Sequence, residues 1–302
     1  MSRHDADMGT VFCLGSGAAF GAMAVFGKLA YGEGATVGTL LAVRFALAAA
    51  LFWVAGAAAR AWRARDALDV PGAPLATRDV VTALGLGAFG YALQAGCYFA
   101  ALERIDASLL SLLVYTFPAI VAAAAIALGR ERVDSRRLGA LAVASGGIAL
   151  VVAGAGAGAL DPVGAALGMT AAVTYSAYIL VSDGIAKRLR PQVLAALVCT
   201  GAAVALTIGS AALGDLRLGA LTAAGWGWLA ALAAISTVGA IGLFFAGLAR
   251  VGPTTASILA TVEPLVTVLL AFLVFSETLT GVQIGGGALV LAAAVTTGRM
   301  AA

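Results

Sequence analysis

The sequence predicts an all-α membrane protein of ten transmembrane helices, arranged as two inverted five-helix repeats around a central cavity. Three observations carry this expectation. Of 302 residues, 62% are hydrophobic and 11% are charged, against about 25% charged in an ordinary soluble domain. Uncharged runs long enough to cross a bilayer recur along the whole chain. Residues 102–144 are repeated at 248–290 with a constant offset of 146. A mean hydropathy of +1.03 excludes a single water-soluble core, because too few charges remain to build a surface.

The spans follow in order. Runs free of Asp, Glu, Lys and Arg cover 8–27, 80–102, 107–129, 138–160, 162–182, 191–214, 218–249 and 278–298. Two further windows, 34–59 and 251–276, each contain one charge, Arg44 and Glu263. Apolar segments of this length must be helices, since lipid offers backbone amides no partner. Placing the N-terminus and the even-numbered loops on one side gives that side fourteen basic residues, from Arg3 through the Arg60–Arg65, Arg130–Arg137 and Lys187–Arg190 clusters to Arg299. The other side has Lys28, Arg104 and Arg217. The positive-inside rule then makes both termini cytoplasmic, in a multi-pass protein of the bacterial inner membrane. The leading MSRHDAD is acidic as well as basic and runs straight into the first helix, so no cleaved signal peptide is expected.

The same counts exclude several functions. The basic clusters act as topology signals, so the net charge of +3 does not indicate nucleic acid. Cys13, Cys97 and Cys199 stand apart without metal or disulfide spacing, and the one histidine, His4, lies in the N-terminal tail. No metal site, no cofactor and no nucleophile–His pair is expected. A G-x-x-x-x-G-K-[ST] loop is absent, which excludes an ATP-driven pump.

The repeat carries the most information. Leu102 falls on Leu248, Arg104 on Arg250, Ser111 on Ser257, Pro118 on Pro264, Glu131 on Glu277 and Gly139 on Gly285. GSGAAFG (15–21) and GAALG (164–168) add a Gly-x-x-x-Gly close-packing signal to the first helix of each half. Five helices are an odd number, so residues 156–302 enter the membrane upside down relative to residues 1–155. Inverted repeats are a mark of secondary transporters, in which two similar halves exchange inward-open and outward-open states of near-equal energy.

The segments SLLVYTFPAIVAAAAIALGRERVDSRRLGALAVASGG (111–147) and SILATVEPLVTVLLAFLVFSETLTGVQIGGGALVLAAA (257–294) resemble the drug/metabolite transporter superfamily, in its EamA branch. Arg44 in LLAVRFALAAAL resembles that branch's second helix. The resemblance implies a ten-helix metabolite carrier, often an exporter, similar in general character to bacterial amino-acid exporters of the YddG type.

Candidate site residues follow from cost and periodicity. A charge inside the bilayer costs about 2.5–3.5 kcal/mol on insertion scales, so Arg44 and Glu263 need a purpose. Glu263, beside Pro264 near the midplane, reads as a substrate-amine contact, a proton-coupling group or a structural hydrogen-bonding residue. Arg44 reads as a helix-joining residue, or as a bidentate ligand for a substrate carboxylate. Pro118 and Pro264 are expected to kink their helices and open polar backbone. Tyr91, Gln94 and Tyr98 form one helical stripe, as do Ser108, Ser111 and Tyr115; Thr254, Ser257 and Thr261; and Thr174, Tyr178 and Ser182, with Tyr175 alongside. Lipid-facing stripes do not collect such residues. Tyr91, Gln94, Tyr98, Ser111, Tyr115, Tyr175, Tyr178, Ser257 and Thr261 are therefore expected at a central cavity, the hydroxyl stripes leaning towards helix packing. Lys28 is expected to snorkel to the headgroups, and Glu131 and Glu277 to act as loop anchors or helix-end hydrogen-bond partners.

Aromatic walls with one cation and one carboxylate suit amino acids or similar small amphipathic metabolites, moved by alternating access. Another metabolite or drug is the alternative. A phosphorylated sugar ranks lower, because each phosphate calls for more inward cations than Arg44 alone. A channel lacks its rings of carbonyls or charge, and an intramembrane enzyme lacks convergent reactive groups. Gly-x-x-x-Gly segments serve packing within one subunit as readily as between two, so no oligomeric state is assigned.

Overall fold

The computed structural model describes residues 3–65, 75–128, 135–154, 161–186 and 188–300. Every regular element among them is helical. The chain runs through α1 (Arg3–Gly21), α2 (Met23–Gly32), α3 (Val37–Arg65), α4 (Thr77–Gly85), α5 (Ala92–Leu102), α6 (Ala107–Val114) and α7 (Phe117–Ala127). It continues through α8 (Ser135–Gly154), α9 (Pro162–Ala186), α10 (Pro191–Ala212), α11 (Ala223–Ala233), α12 (Ala240–Ala260), α13 (Val262–Phe275) and α14 (Gly281–Met300).

Six stretches are long and apolar enough to cross a membrane: Asp7–Gly32, Val37–Ala59, Thr77–Leu102, Pro162–Ser182, Pro191–Ala212 and Ala223–Val251. Ala107–Val121, Ala142–Gly154, Val262–Phe275 and Gly281–Ala293 are shorter apolar helices. Large apolar side chains cover the outside, among them Phe89 at 80% exposure and Val54 at 67%. A water-facing surface would not carry so much, and a lipid-facing one must.

Several spans are interrupted. Two wide π-helical turns, Leu86–Tyr91 between α4 and α5 and Ala234–Gly239 between α11 and α12, occupy six residues each. The second is closed by the Thr237 hydroxyl, which donates to the Leu232 carbonyl at 3.0 Å. Breaks at Ala22, at Tyr115–Thr116 and at Thr261 separate α1 from α2, α6 from α7 and α12 from α13. The latter two lie just before the paired prolines. Each proline thus sits in the first turn of a new helix, where its missing N–H costs nothing, and divides the span instead of kinking one helix.

Packing relies on close backbone approach. Ser16 Oγ donates to the Ala240 carbonyl at 2.8 Å, so α1 lies antiparallel to the start of α12. Gly9 faces Arg250 and Val251 further along α12, and Gly17 and Gly21 face Val262, Glu263 and Val266 of α13 in parallel. Gly164 and Gly168 of α9 face Ile105, Leu110 and Leu113 in the same manner. A Cβ on Gly147 would stand 2.8 Å from the Gly286 carbonyl oxygen, and one on Gly286 would stand 2.6 Å from that of Gly147. α8 and α14 therefore touch backbone to backbone. The core between these pairs is filled by Leu40, Phe45, Phe99, Leu102, Leu110, Leu113, Leu229 and Leu232.

Candidate functional site

Tyrosines from three helical segments meet in one belt. Tyr91 closes the first π turn, Tyr115 caps α6, and Tyr175 and Tyr178 sit one turn apart on α9. Ring contacts link them in series. Phe45 meets Tyr91 at 5.3 Å between centroids, Tyr91 meets Tyr178 at 5.5 Å, and Tyr178 stacks on Tyr175 at 6.4 Å. Tyr175 meets Phe117 edge-on at 4.8 Å, and Phe117 meets Tyr115 at 5.7 Å. Tyr98 joins Phe99 at 5.1 Å. The rings pack on one another, edge to face or offset, as their quadrupoles favour. Tyr178 also borders an outward-facing apolar groove of about 380 Å³ with Phe89, Leu93 and Val181.

Arg44 lies at one end of this belt and is 2% exposed. Its Nε donates to Thr237 Oγ1 at 3.0 Å and its Nη2 to Met23 Sδ at 3.2 Å. The guanidinium lies over the rings of Phe45 and Phe99, 5.0 and 5.3 Å from their centroids, and stands beside the Tyr91 hydroxyl. It reaches neighbouring helices through their side chains. No carboxylate lies within ion-pair distance of it among the described residues. A guanidinium has five N–H donors, so capacity remains for an anionic group.

Glu263 opens the first turn of α13, where a helix start favours negative charge. Its backbone carbonyl accepts from Thr267, at 3.1 Å, while its half-buried carboxylate has no hydrogen bond or ion pair among the described residues. Glu263 packs at the break between α1 and α2, its carbonyl against Gly21, two residues before the Met23 that touches Arg44, and its nearest titratable hydroxyls are those of Tyr91, Tyr98, Tyr115 and Tyr175. The first two also feel Arg44. The two intramembrane charges thus share one aromatic surround.

The other expected residues divide. Gln94 is half-buried on α5, and Thr261 forms the break before α13. The Ser257 side chain lies outside the described residues. The hydroxyl stripes bond mostly to their own helices: Ser111 to the Ser108 carbonyl at 2.9 Å, Thr174 to Thr170 and Ala171, Ser182 to Ile179. Lys28 does not snorkel. Its ammonium lies 2.6 Å from Glu277 Oε1, and a carboxylate so close outcompetes a lipid headgroup. Glu277 is a helix-end partner, while Glu131 lies outside the described residues.

Phe45, Phe99, Phe117, Thr237 and Met23 were missed by sequence reasoning. The adjacent hydroxyls of Ser236 and Thr237 in an otherwise apolar run were the available signal. Bulk aromatics beside Arg44 and Pro118 were another.

Comparison with known proteins places this arrangement. The EamA-like transporter family matches residues 7–153 and 162–299. An uncharacterized transporter of Archaeoglobus fulgidus is 30% identical over 228 residues, covering 72% of this chain and 78% of that protein. The uncharacterized transporter YcbK of Bacillus subtilis is 25% identical over 291 residues, covering 94% of this chain and 90% of its own length. A solved crystal structure covers 99% of both chains at a TM-score of 0.66 and 19% identity, which speaks to the fold. The narrower likeness to amino-acid exporters of the YddG type is not reached by these matches. On the family match across both halves, the chain is a membrane transporter and belongs to the EamA-like transporter family.

Proposed function

We propose that the protein is a secondary transporter that exports amino acids or similar small zwitterionic metabolites by alternating access. One observation carries the reading: Arg44 and Glu263, of opposite charge and without a charged partner among the described residues, share one aromatic surround. A zwitterion would offer its carboxylate to Arg44 and its ammonium to Glu263, with its apolar part against the rings. Aromatic rings, Arg44 and Glu263 together offer an uncharged sum, which fits a net-neutral solute better than a phosphorylated one.

The proposed framework is ten spans in two inverted five-helix repeats, residues 1–155 and 156–302, in the inner membrane with both termini cytoplasmic. The two family matches, one in each half, support it. So do the paired π turns, the breaks before Pro118 and Pro264, and the like packing of Gly17 and Gly21 on α13 and of Gly164 and Gly168 on α6. Proton coupling at Glu263 is a second reading, favoured by its unpartnered carboxylate.

Flux of a labelled amino-acid panel into liposomes, measured across pH for wild type, Arg44→Gln and Glu263→Gln, tests both readings. Either substitution should cut zwitterion flux about tenfold or more, the scale of one lost charge-assisted contact. Unchanged flux in both variants would remove the site. An altered rate with an unaltered pH profile in Glu263→Gln would remove proton coupling from that residue.

A further inference from the structure

Lys28, the start of α6 and Glu277 come from distant parts of the chain and meet at one point. Glu277 Oε1 accepts from Lys28 Nζ at 2.6 Å and from the Ala107 N–H at 3.2 Å. Its Oε2 accepts from the Ser108 N–H and the Ser108 hydroxyl, each at 3.0 Å. The two amides are donors that a helix start leaves without an internal partner. Ser276, left-handed at φ 57, ends α13 and turns the chain so that Glu277 reaches them. The Glu277 side chain is only 6% exposed. Burial alone would raise its carboxyl, but the Lys28 ammonium and the Ser108 and Ala107 amides outweigh burial and hold it below the usual carboxylate range. Lys28 also lies 3.8 Å from Asp106 and over the Phe275 ring.

The three helices joined here are all short and all reach back to the candidate site. α2 begins at Met23, the thioether that touches Arg44. α6 ends at Tyr115, in the aromatic belt. α13 begins beside Glu263. α6 and α13 therefore run from the site to Glu277, α2 sets Lys28 against Glu277 partway along its length, and each of the three has a break at its site end. We propose that Glu277, held by Lys28 and the start of α6, is the latch of a gate formed by α2, α6 and α13. With the latch made, the gate closes the path from the site to the membrane face opposite the termini. When it parts, the helices swing at Ala22, Tyr115–Thr116 and Thr261. The gate rests on the site reading above, although its test needs no substrate.

The test uses the full-length chain with Cys13, Cys97 and Cys199 replaced by serine and Ser111→Cys, one turn below Ser108, as reporter. An impermeant maleimide is added to one side of membrane vesicles at a time. Labelling should be slow with the latch intact. Lys28→Met or Glu277→Gln should speed it about tenfold or more from the latch side alone, the scale of a lost charge-assisted bond. Lys28→Arg should stay slow. The exchange of Lys28→Glu with Glu277→Lys should not restore protection, because a lysine cannot accept from the amides of α6. Ser108→Ala, which removes a single bond, should give a smaller acceleration and covers the case in which the charge variants fail to fold. Unchanged labelling in the variants, or acceleration equal from both sides, would overturn the latch. Altered labelling beside absent zwitterion flux would leave the latch standing and remove only the substrate assignment.

Discussion

Arg44 is held in the membrane by a hydroxyl, a thioether and two aromatic faces, with no counter-charge among the described residues. Thr237 is central to that arrangement. It accepts from Arg44 Nε and donates to the Leu232 carbonyl, so one oxygen ties the buried charge to the second π turn. Thr237→Val keeps the shape and removes both bonds. Because it leaves a buried charged donor unmet, it should destabilise the protein by about 1–3 kcal/mol, whereas Thr237→Ser should lie near wild type. Unfolding in detergent measures this, and a valine variant as stable as wild type would contradict the role given to the hydroxyl. At this scale the sequence was informative about cost and silent about partners. Arg44 and Glu263 stood out because charge inside lipid is expensive. Their surroundings did not, since Thr237 lies 193 positions from Arg44 and only folding brings the two together.

The helices themselves were legible because lipid enforces them. The uncharged runs and the two singly charged windows overlap the six membrane-length stretches and the four shorter apolar helices, with ends displaced by as much as eleven residues, at Val262. What hydropathy does not encode is backbone register within a span. The π turns and the divisions before the prolines arise from local hydrogen bonding and close packing, so Pro118 and Pro264 stand in the first turns of new helices where kinks were expected. Lys28 shows the same limit: near a helix end it reads as a snorkelling side chain until a carboxylate 249 positions away arrives beside it. The Lys28–Glu277 contact carries a pH dependence with a definite sign. Glu277 is held below its usual range when folded, so it stabilises the protein above the unfolded carboxylate value of about 4.3. That stabilisation disappears as pH falls through the lower, folded value. Melting temperatures of wild type and Glu277→Gln should therefore differ at pH about 6–7 and converge as pH falls below about 4. A constant difference across that range would contradict the ionised latch.

Across the whole molecule, close packing and charge divide the work. Glycine contacts such as Gly147 with Gly286 bring helices together without any need for water-driven burial, while much of the charge among the described residues sits at helix ends or in the turns between helices. Arg44 and Glu263 lie at one aromatic centre, from which α6 and α13 lead to a single carboxylate, Glu277, that also holds Lys28 of α2. Family membership makes the protein a transporter. A centre bearing one cation and one anion makes a small zwitterion its proposed cargo. Counterflow in liposomes tests that claim most directly: vesicles loaded with unlabelled amino acid, containing no ATP, are challenged with trace labelled amino acid outside. Transient, saturable accumulation of label that is abolished in Arg44→Gln is the predicted result. Uptake that rises linearly with concentration, or no uptake above empty liposomes for any zwitterion tried, would contradict it.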